Sequence, residues 1–394
     1  MKDVAKSIWK DYYKELMNSI KDKSFRTGVE RATVSYEVGI TKLFNKYPES
    51  FDLAEKVRKI KEYAISHIDE MVETATKSFE NKGFYVHYAK TADEANKIIG
   101  NIVGSNKIIV KGKSITSEET RLREFLEEHN NEVWETDLGE FIIQLLGERP
   151  MHLVTPSLHV PKEQVADLFS KFFKKKYDPN DVQSLVKAAS DFLRDKYFNA
   201  DVGIVGANVI AAKEGAAILI HNEGNLRFVV TLPRKVIILA GIEKIVPDIE
   251  SAILTAYVTA RFAKYKVAGY FDIFAGNEII ADSSSEKQQE VHVVFLDNGR
   301  TKIISDPEFR EAAYCLRCGA CMYSCPVFKV IAGKFGGSTY MGGIGTIWTY
   351  FIEGPERSVP ALYSCLLDGR CLERCPVKIN TPEMIKKLRT KINS

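Results

Sequence analysis

At 394 residues the chain exceeds the roughly 250–300 residues at which single cores stop growing, so it divides into two or more domains. Its 45% hydrophobic and 27% charged content excludes a disordered chain, and no apolar run approaches the ~20 residues that cross a bilayer. Residues 301–394 carry 13 Lys/Arg against 8 Asp/Glu and the first 300 carry 42 against 44, with no basic stripe interleaved with aromatics to suggest nucleic acid.

The N-terminus, MKDVAKSIWKDYYKELMNSIKDK, is amphipathic and charged and lacks the apolar core of a signal peptide, so a reducing cytoplasm is the expected location. Residues 1–80 read as helices. Ala54, Val57, Ile60, Ala64, Ile65, His67 and Ile68 follow a helical apolar period, extended by Met71 and Val72, which predicts a core position for His67.

From residue 81 to 300 short apolar runs alternate with amphipathic helical stretches. Lys107–Val110 precedes Ser117–His129, His152–Val154 precedes Glu163–Phe173, and Lys235–Ala240 precedes Ile249–Tyr265. That alternation predicts an α/β domain with a largely parallel sheet. Val202–Val205, Val209–Ala212 and Ala216–Ile220, separated by glycines, predict a strand-rich insert. A last strand, Val291–Leu296, enters the turn Asp297-Asn298-Gly299-Arg300, the expected boundary to a third region at 301–394.

All seven cysteines lie in the final eighty residues. The first run, Cys315-x2-Cys318-x2-Cys321-x3-Cys325-Pro326, has bacterial ferredoxin spacing. The second, Cys365-x2-Asp368-x2-Cys371-x3-Cys375-Pro376, keeps the frame with aspartate in the second position. Thiolates two residues apart wrap a tight loop around a cubane, and the closing proline removes a competing donor. Disulfides would need an oxidising compartment, and structural zinc favours two C-x2-C pairs. In two-cluster ferredoxins the fourth cysteine of each run crosses to the other cluster. Cys315, Cys318, Cys321 and Cys375 would then hold one iron–sulfur cluster, and Cys365, Asp368, Cys371 and Cys325 the second. Two readings of Asp368 stand: a labile oxygen ligand of a [4Fe-4S] cluster, or a bystander beside a [3Fe-4S] cluster. Between the runs, six glycines in the thirteen residues Gly333–Gly345 permit close backbone approach to a cluster or to the α/β domain, with a flexible tether as the alternative. Thr381-Pro382-Glu383 reads as the start of a basic C-terminal helix capped by Thr381.

Within the α/β region, Lys111-Gly112-Lys113-Ser114 follows a strand and precedes a helix with Thr116-x-x-Glu119 spaced as a capping box. A basic loop there suits a carboxylate or phosphate, although an exposed loop is the plainer reading. Asp137 is the expected cap of helix Leu138–Leu146. Ser157-Leu158-His159 lies where ligand groups gather in α/β folds, with a surface histidine as the plainer reading. Lys213-Glu214-Gly215 and Asn222-Glu223-Gly224-Asn225-Leu226-Arg227 bracket an apolar strand, as a ligand site or as ordinary turns.

Lys111–Ser114 with Ser117–Glu119, Glu135–Gln144, Gly206–Asn208, Asn222–Asn225 with Arg227, Gly241–Lys244 and Asp297–Arg300 together resemble the LutB-type lactate-utilisation iron–sulfur proteins, and the cysteine runs fall where that family has them. The resemblance covers the chain from about residue 20 in collinear order. It implies an α/β LUD domain, similar to the sugar-isomerase and CoA-transferase fold, behind N-terminal helices and ahead of a helical, ferredoxin-like di-cluster domain. It further implies one subunit of a cytoplasmic complex oxidising L-lactate to pyruvate, with a cysteine-rich iron–sulfur subunit and a shorter LUD subunit as partners. Asp368, Lys213-Glu214-Gly215, Leu226 and Gly343 depart from the family pattern.

No flavin or nicotinamide fingerprint is evident, so the chemical step need not lie in this chain, and the main expectation is a non-flavin electron-relay subunit. Lys111, Lys113, Ser114, Glu214, Asn222, Glu223 and Arg227 are the candidate substrate-binding residues. Competing readings are a relay in a heterodisulfide-reductase-like or other 2-hydroxy-acid oxidoreductase complex, and a CoA-transferase-like or isomerase-like enzyme using Glu214 or Glu223. A third is a ferredoxin-like carrier whose LUD domain only docks partners.

Overall fold

The computed structural model describes residues 2–265, 269–276 and 289–393. Among the described residues the strands are β1 (Tyr85–Ala89), β2 (Ile108–Lys111), β3 (Glu132–Glu135), β4 (Val202–Gly206), β5 (Val209–Ala211), β6 (Ala216–His221), β7 (Lys235–Gly241), β8 (Ile245–Val246), β9 (Tyr270–Phe274) and β10 (Glu290–Leu296). Six of them form a parallel sheet in the order β1-β10-β7-β4-β2-β3. Its central strands, KVIILAG and EVHVVFL, are almost continuously apolar because helices cover both faces. The chain reaches β3 by stepping outward from β2, then returns across β2 to β4 and continues the other way to β7 and β10. The direction of winding reverses between β2 and β4, the place in an open α/β sheet where ligands bind.

The stretch at 203–230 is not one insert. Its first run, β4, enters the main sheet, while β5 and β6 join β8 and β9 in a second, mixed sheet. Residues 151–154 form bends instead of the expected strand, because the buried His152 ring replaces a ladder partner: its Nδ1 accepts from the Val154 and Thr155 amides at 3.1 and 3.2 Å. The helix expected over Ser117–His129 is two, Ile115–Thr120 and Leu122–Glu128, broken where Arg121 turns left-handed at φ 53°. Ser114, not Thr116, caps the first by accepting from the Ser117 amide at 3.3 Å, which frees Glu119 for another role. Asp137 caps Leu138–Leu146 as expected. Asn380, one residue ahead of Thr381, supplies the cap oxygen of the last helix. His67 is exposed at the junction of helices Ser50–Ser66 and Ile68–Glu80, where its Nδ1 turns back to the Tyr63 carbonyl instead of packing inward.

The N-terminal helices tie both halves of the molecule together. Tyr36 donates to the Phe262 carbonyl at 2.7 Å and stacks on Tyr323 at 4.2 Å, while Glu37 pairs with Arg374 at 2.7 Å. One apolar core therefore runs from these helices through the sheet to Trp348 and Ile385. The glycine-rich segment packs on the α/β region: a Cβ at Gly333 would lie 2.7 Å from the Met151 Cα. Among the described residues no helix is long and apolar enough to cross a membrane.

Candidate functional site: a cavity beside two rings of thiols

The loops at the carboxyl ends of the strands enclose a cavity of about 570 Å³ at the reversal between β2 and β4. The β2 loop contributes Lys113 and Ser114, the β4 loop Asn208, the β6 loop Asn222 and Glu223, and the β7 loop Lys244. Arg317, from the first cysteine run, also lines it.

Of the residues singled out from the sequence, Lys113, Ser114, Asn222 and Glu223 meet in this lining. Lys113 Nζ bridges Asp137 at 3.2 Å and the Val154 carbonyl at 2.9 Å. Burial raises the Glu223 carboxyl above its ordinary value, and Asp137 adds to the rise. Lys111, Glu214 and Arg227 lie outside the lining. The first is sunk between Glu135 at 2.7 Å and Glu118 at 3.2 Å, where burial opposes its charge but those carboxylates hold the ammonium above its usual range. Glu214 accepts from the Ile249 amide at 2.8 Å, and the half-exposed Arg227 pairs with Asp272 at 2.7 Å. His159 is buried, not at the surface, with Nε2 2.8 Å from Glu148.

Behind the cavity lies a charged network that no spacing announced. Arg300, fully buried, grips both oxygens of Glu119 at 2.8 Å and reaches Glu243 Oε2 at 2.5 Å. Tyr340, from the glycine-rich segment, donates to Glu119 at 2.5 Å. Burial works against ionisation of Glu243, but Arg300, Arg317 and Lys244 hold its carboxyl down at about 2. Lys61 donates to the Glu243 backbone carbonyl. Glu119, Glu243 and Arg300 each fall inside segments that carry the family resemblance, which was their signal in the sequence; Glu243 and Arg300 also follow apolar strands, while Glu119 sits in the helix Ile115–Thr120.

The seven thiols are free and gather in two adjoining spaces. Cys315, Cys318, Cys321 and Cys375 line the first; Cys325, Cys365, Cys371 and the Asp368 carboxylate line the second, and Cys321 and Cys371 border both. No three of these groups close on a single-ion position among the described residues, whereas a cubane places each thiolate on its own iron. Burial pushes the Cys325 and Cys375 thiols up to about 11, and backbone amides pull the other way: those of Val327 and Phe328 reach Cys325, and that of Ile379 meets Cys375 Sγ at 3.5 Å. Four soft donors ringed by amides, in a buried space, fit an iron–sulfur cluster. Asp368 is shared with Arg370, whose Nε lies 3.4 Å away. Leu153 lines both the cavity and the first thiol space, which places the two side by side.

The LUD domain model matches residues 72–296, and the 4Fe-4S dicluster domain model matches residues 311–379. Lactate utilization protein B of Shouchella clausii is 34% identical over 98% of this chain and 79% of its own length. The chain belongs to the lactate utilization protein B family. The Bacillus subtilis member is 32% identical over 99% of this chain and 81% of its own length, and that of Bacillus velezensis is 35% identical over 86% and 72%. Membership makes the α/β portion a LUD domain and the cysteine-rich portion a 4Fe-4S dicluster domain.

Proposed function

We propose that this chain is the iron–sulfur electron-transfer subunit of a cytoplasmic complex that oxidises L-lactate to pyruvate. The observation that carries the reading is that the cavity adjoins the first ring of thiols, with Leu153 lining both. Lactate loses two electrons and two protons on becoming pyruvate, so two one-electron carriers in series suit its oxidation. In this reading Cys315, Cys318, Cys321 and Cys375 hold the first cluster, and Cys365, Cys371, Cys325 and Asp368 the second. When bound, the clusters supply one-electron redox chemistry.

The chain's own residues do the rest. Ser114 and Asn222 position a small hydroxy acid, with Lys113 held in the same lining by Asp137, Glu223 is a cavity carboxylate that takes a proton, and Leu153 borders both the cavity and the space of the first cluster. The partners are a cysteine-rich iron–sulfur subunit and a shorter LUD subunit. A transferase reading would rest on Glu223 alone, since Glu214 is committed to the Ile249 amide.

The test is an anaerobic pull-down of the tagged chain from its native cells, followed by L-lactate while cluster absorbance is recorded. Bleaching is the expected result. Clusters that dithionite reduces but lactate does not would keep the relay and discard lactate as its donor.

A further inference from the structure

Two buried cations, Arg317 and Lys244, line the cavity, and between them they make a single ion pair among the described residues, from Arg317 to Glu243 at 3.5 Å. Arg317 sits between Cys315 and Cys318 with its side chain 7% exposed. Its guanidinium lies over the rings of Trp348 at 4.0 Å and Tyr340 at 4.4 Å, which fixes its plane. Nε and Nη2 have no hydrogen-bond partner, and the nearest carboxylate oxygen, Glu243 Oε1, is 3.5 Å from Nη2 and itself unpartnered. Glu243 spends its other oxygen on Arg300. Lys244, equally buried, makes no ion pair among the described residues and lines the same cavity. Buried donors left unsatisfied are costly, and a rigid guanidinium fork matches a carboxylate in two parallel bonds.

We infer that Arg317 and Lys244 form the carboxylate-binding end of the LUD cavity, so that a small 2-hydroxy or 2-oxo monocarboxylate docks directly against the loop of the first cluster. This assignment rests on the reading of the cavity as the ligand site and moves the anion contact away from the Lys111–Ser114 loop. Lys111 is saturated by Glu135 and Glu118, and Lys113 by Asp137 and the Val154 carbonyl, so neither has a free charge to offer. With the carboxylate at Arg317, Ser114 and Asn222 are the polar groups of the same lining left for the hydroxyl.

Calorimetry on the full, cluster-loaded chain under anaerobic conditions tests the assignment, with L-lactate, pyruvate and the neutral isostere L-lactamide as probes. Wild type is expected to bind L-lactate and pyruvate at least about tenfold more tightly than lactamide, the worth of one charge-assisted hydrogen bond. Arg317→Gln and Lys244→Gln should each weaken lactate binding roughly 10–100-fold and erase the preference over lactamide, with Arg317→Lys intermediate. Lys244 lies outside the cysteine runs, so its variant decides the matter if Arg317→Gln fails to retain its clusters. Equal binding of lactate and lactamide by wild type would overturn the assignment, as would unchanged lactate affinity in a cluster-loaded Lys244→Gln protein. An Arg317→Gln protein with a shifted cluster potential but unchanged affinity would also overturn it, making Arg317 a counter-charge to the cluster only. Wild type that binds none of the probes overturns it too, while lactate bleaching in the pulled-down complex would keep the relay and place the substrate on a partner.

Discussion

Replacing Arg300 with methionine should unlatch the LUD domain from the cluster domain. The guanidinium makes two 2.8 Å bonds to Glu119, one of 2.5 Å to Glu243 and one of 2.9 Å to the Asp297 carbonyl. Glu119 and Glu243 have side chains only 1% exposed, so both carboxylates would be left in the interior without their main counter-charge. Breaking a buried ion pair by deleting one partner costs about 3–5 kcal/mol. Two features keep the loss from doubling. Glu243 retains Arg317 at 3.5 Å, and Glu119 retains the Tyr340 hydroxyl at 2.5 Å and the Asn298 amide at 2.6 Å. The expected destabilisation is therefore about 4 kcal/mol, read as the loss in anaerobic urea unfolding followed by tryptophan fluorescence. Adding Glu119→Gln should restore about 1–2 kcal/mol, because a neutral amide no longer needs the missing charge. A loss below about 1 kcal/mol, or a double variant no better than the single, would refute the view that these charges hold each other in place.

Three further outcomes follow from the same geometry. Burial lowers His152 from 6.5 to about 3, so the folded protein needs it neutral: its contribution is complete above pH 6.5 and is lost as pH falls toward 3. At about 1.4 kcal/mol per pH unit the loss reaches about 1.4 kcal/mol by pH 5.5, and His152→Gln should flatten that part of the stability–pH curve relative to wild type; parallel curves would count against it. Gly319→Ala should cost about 2–4 kcal/mol and lower iron content, since φ is +74° and the added carbon would lie 2.5 Å from His152 Cε1; full iron loading with an unchanged urea midpoint would contradict this. Asp368→Cys should slow ferricyanide bleaching of the second cluster by replacing a hard oxygen with a soft thiolate, and identical kinetics would remove Asp368 from the ligand set.

The legible parts of this chain were those with local rules. Cysteine spacing is fixed by a loop wrapped on a cluster, and the alternation of apolar runs with amphipathic helices is fixed by strand and helix periods, so both can be read within a few residues. The misreadings share one cause, a tertiary partner that outcompetes a local pattern. The apparent capping box at Thr116 failed because Glu119 is claimed by Arg300, 181 residues away. The strand expected at His152–Val154 failed because the histidine ring takes the amides that a ladder would have used and turns its Nε2 to the Gly319 carbonyl at 3.2 Å.

The candidate ligand residues divide along the same line. Lys111 and Lys113 are two residues apart and look equivalent, yet Lys111 is the last residue of β2 and is bonded to Glu135, while Lys113 lies past the strand end, free of the strand's period, and lines the cavity. Arg317 looked like a spacer between two cysteines, because nothing in C-x2-C asks for a particular residue there. Its left-handed backbone, φ 61°, directs the side chain away from the thiol space and between Tyr340, Trp348 and the LUD cavity. A residue at that position can feel a ligand on one side and the first thiol ring on the other. Any coupling between ligand binding and cluster potential in this chain should therefore depend on residue 317 before it depends on any residue of the β2 loop.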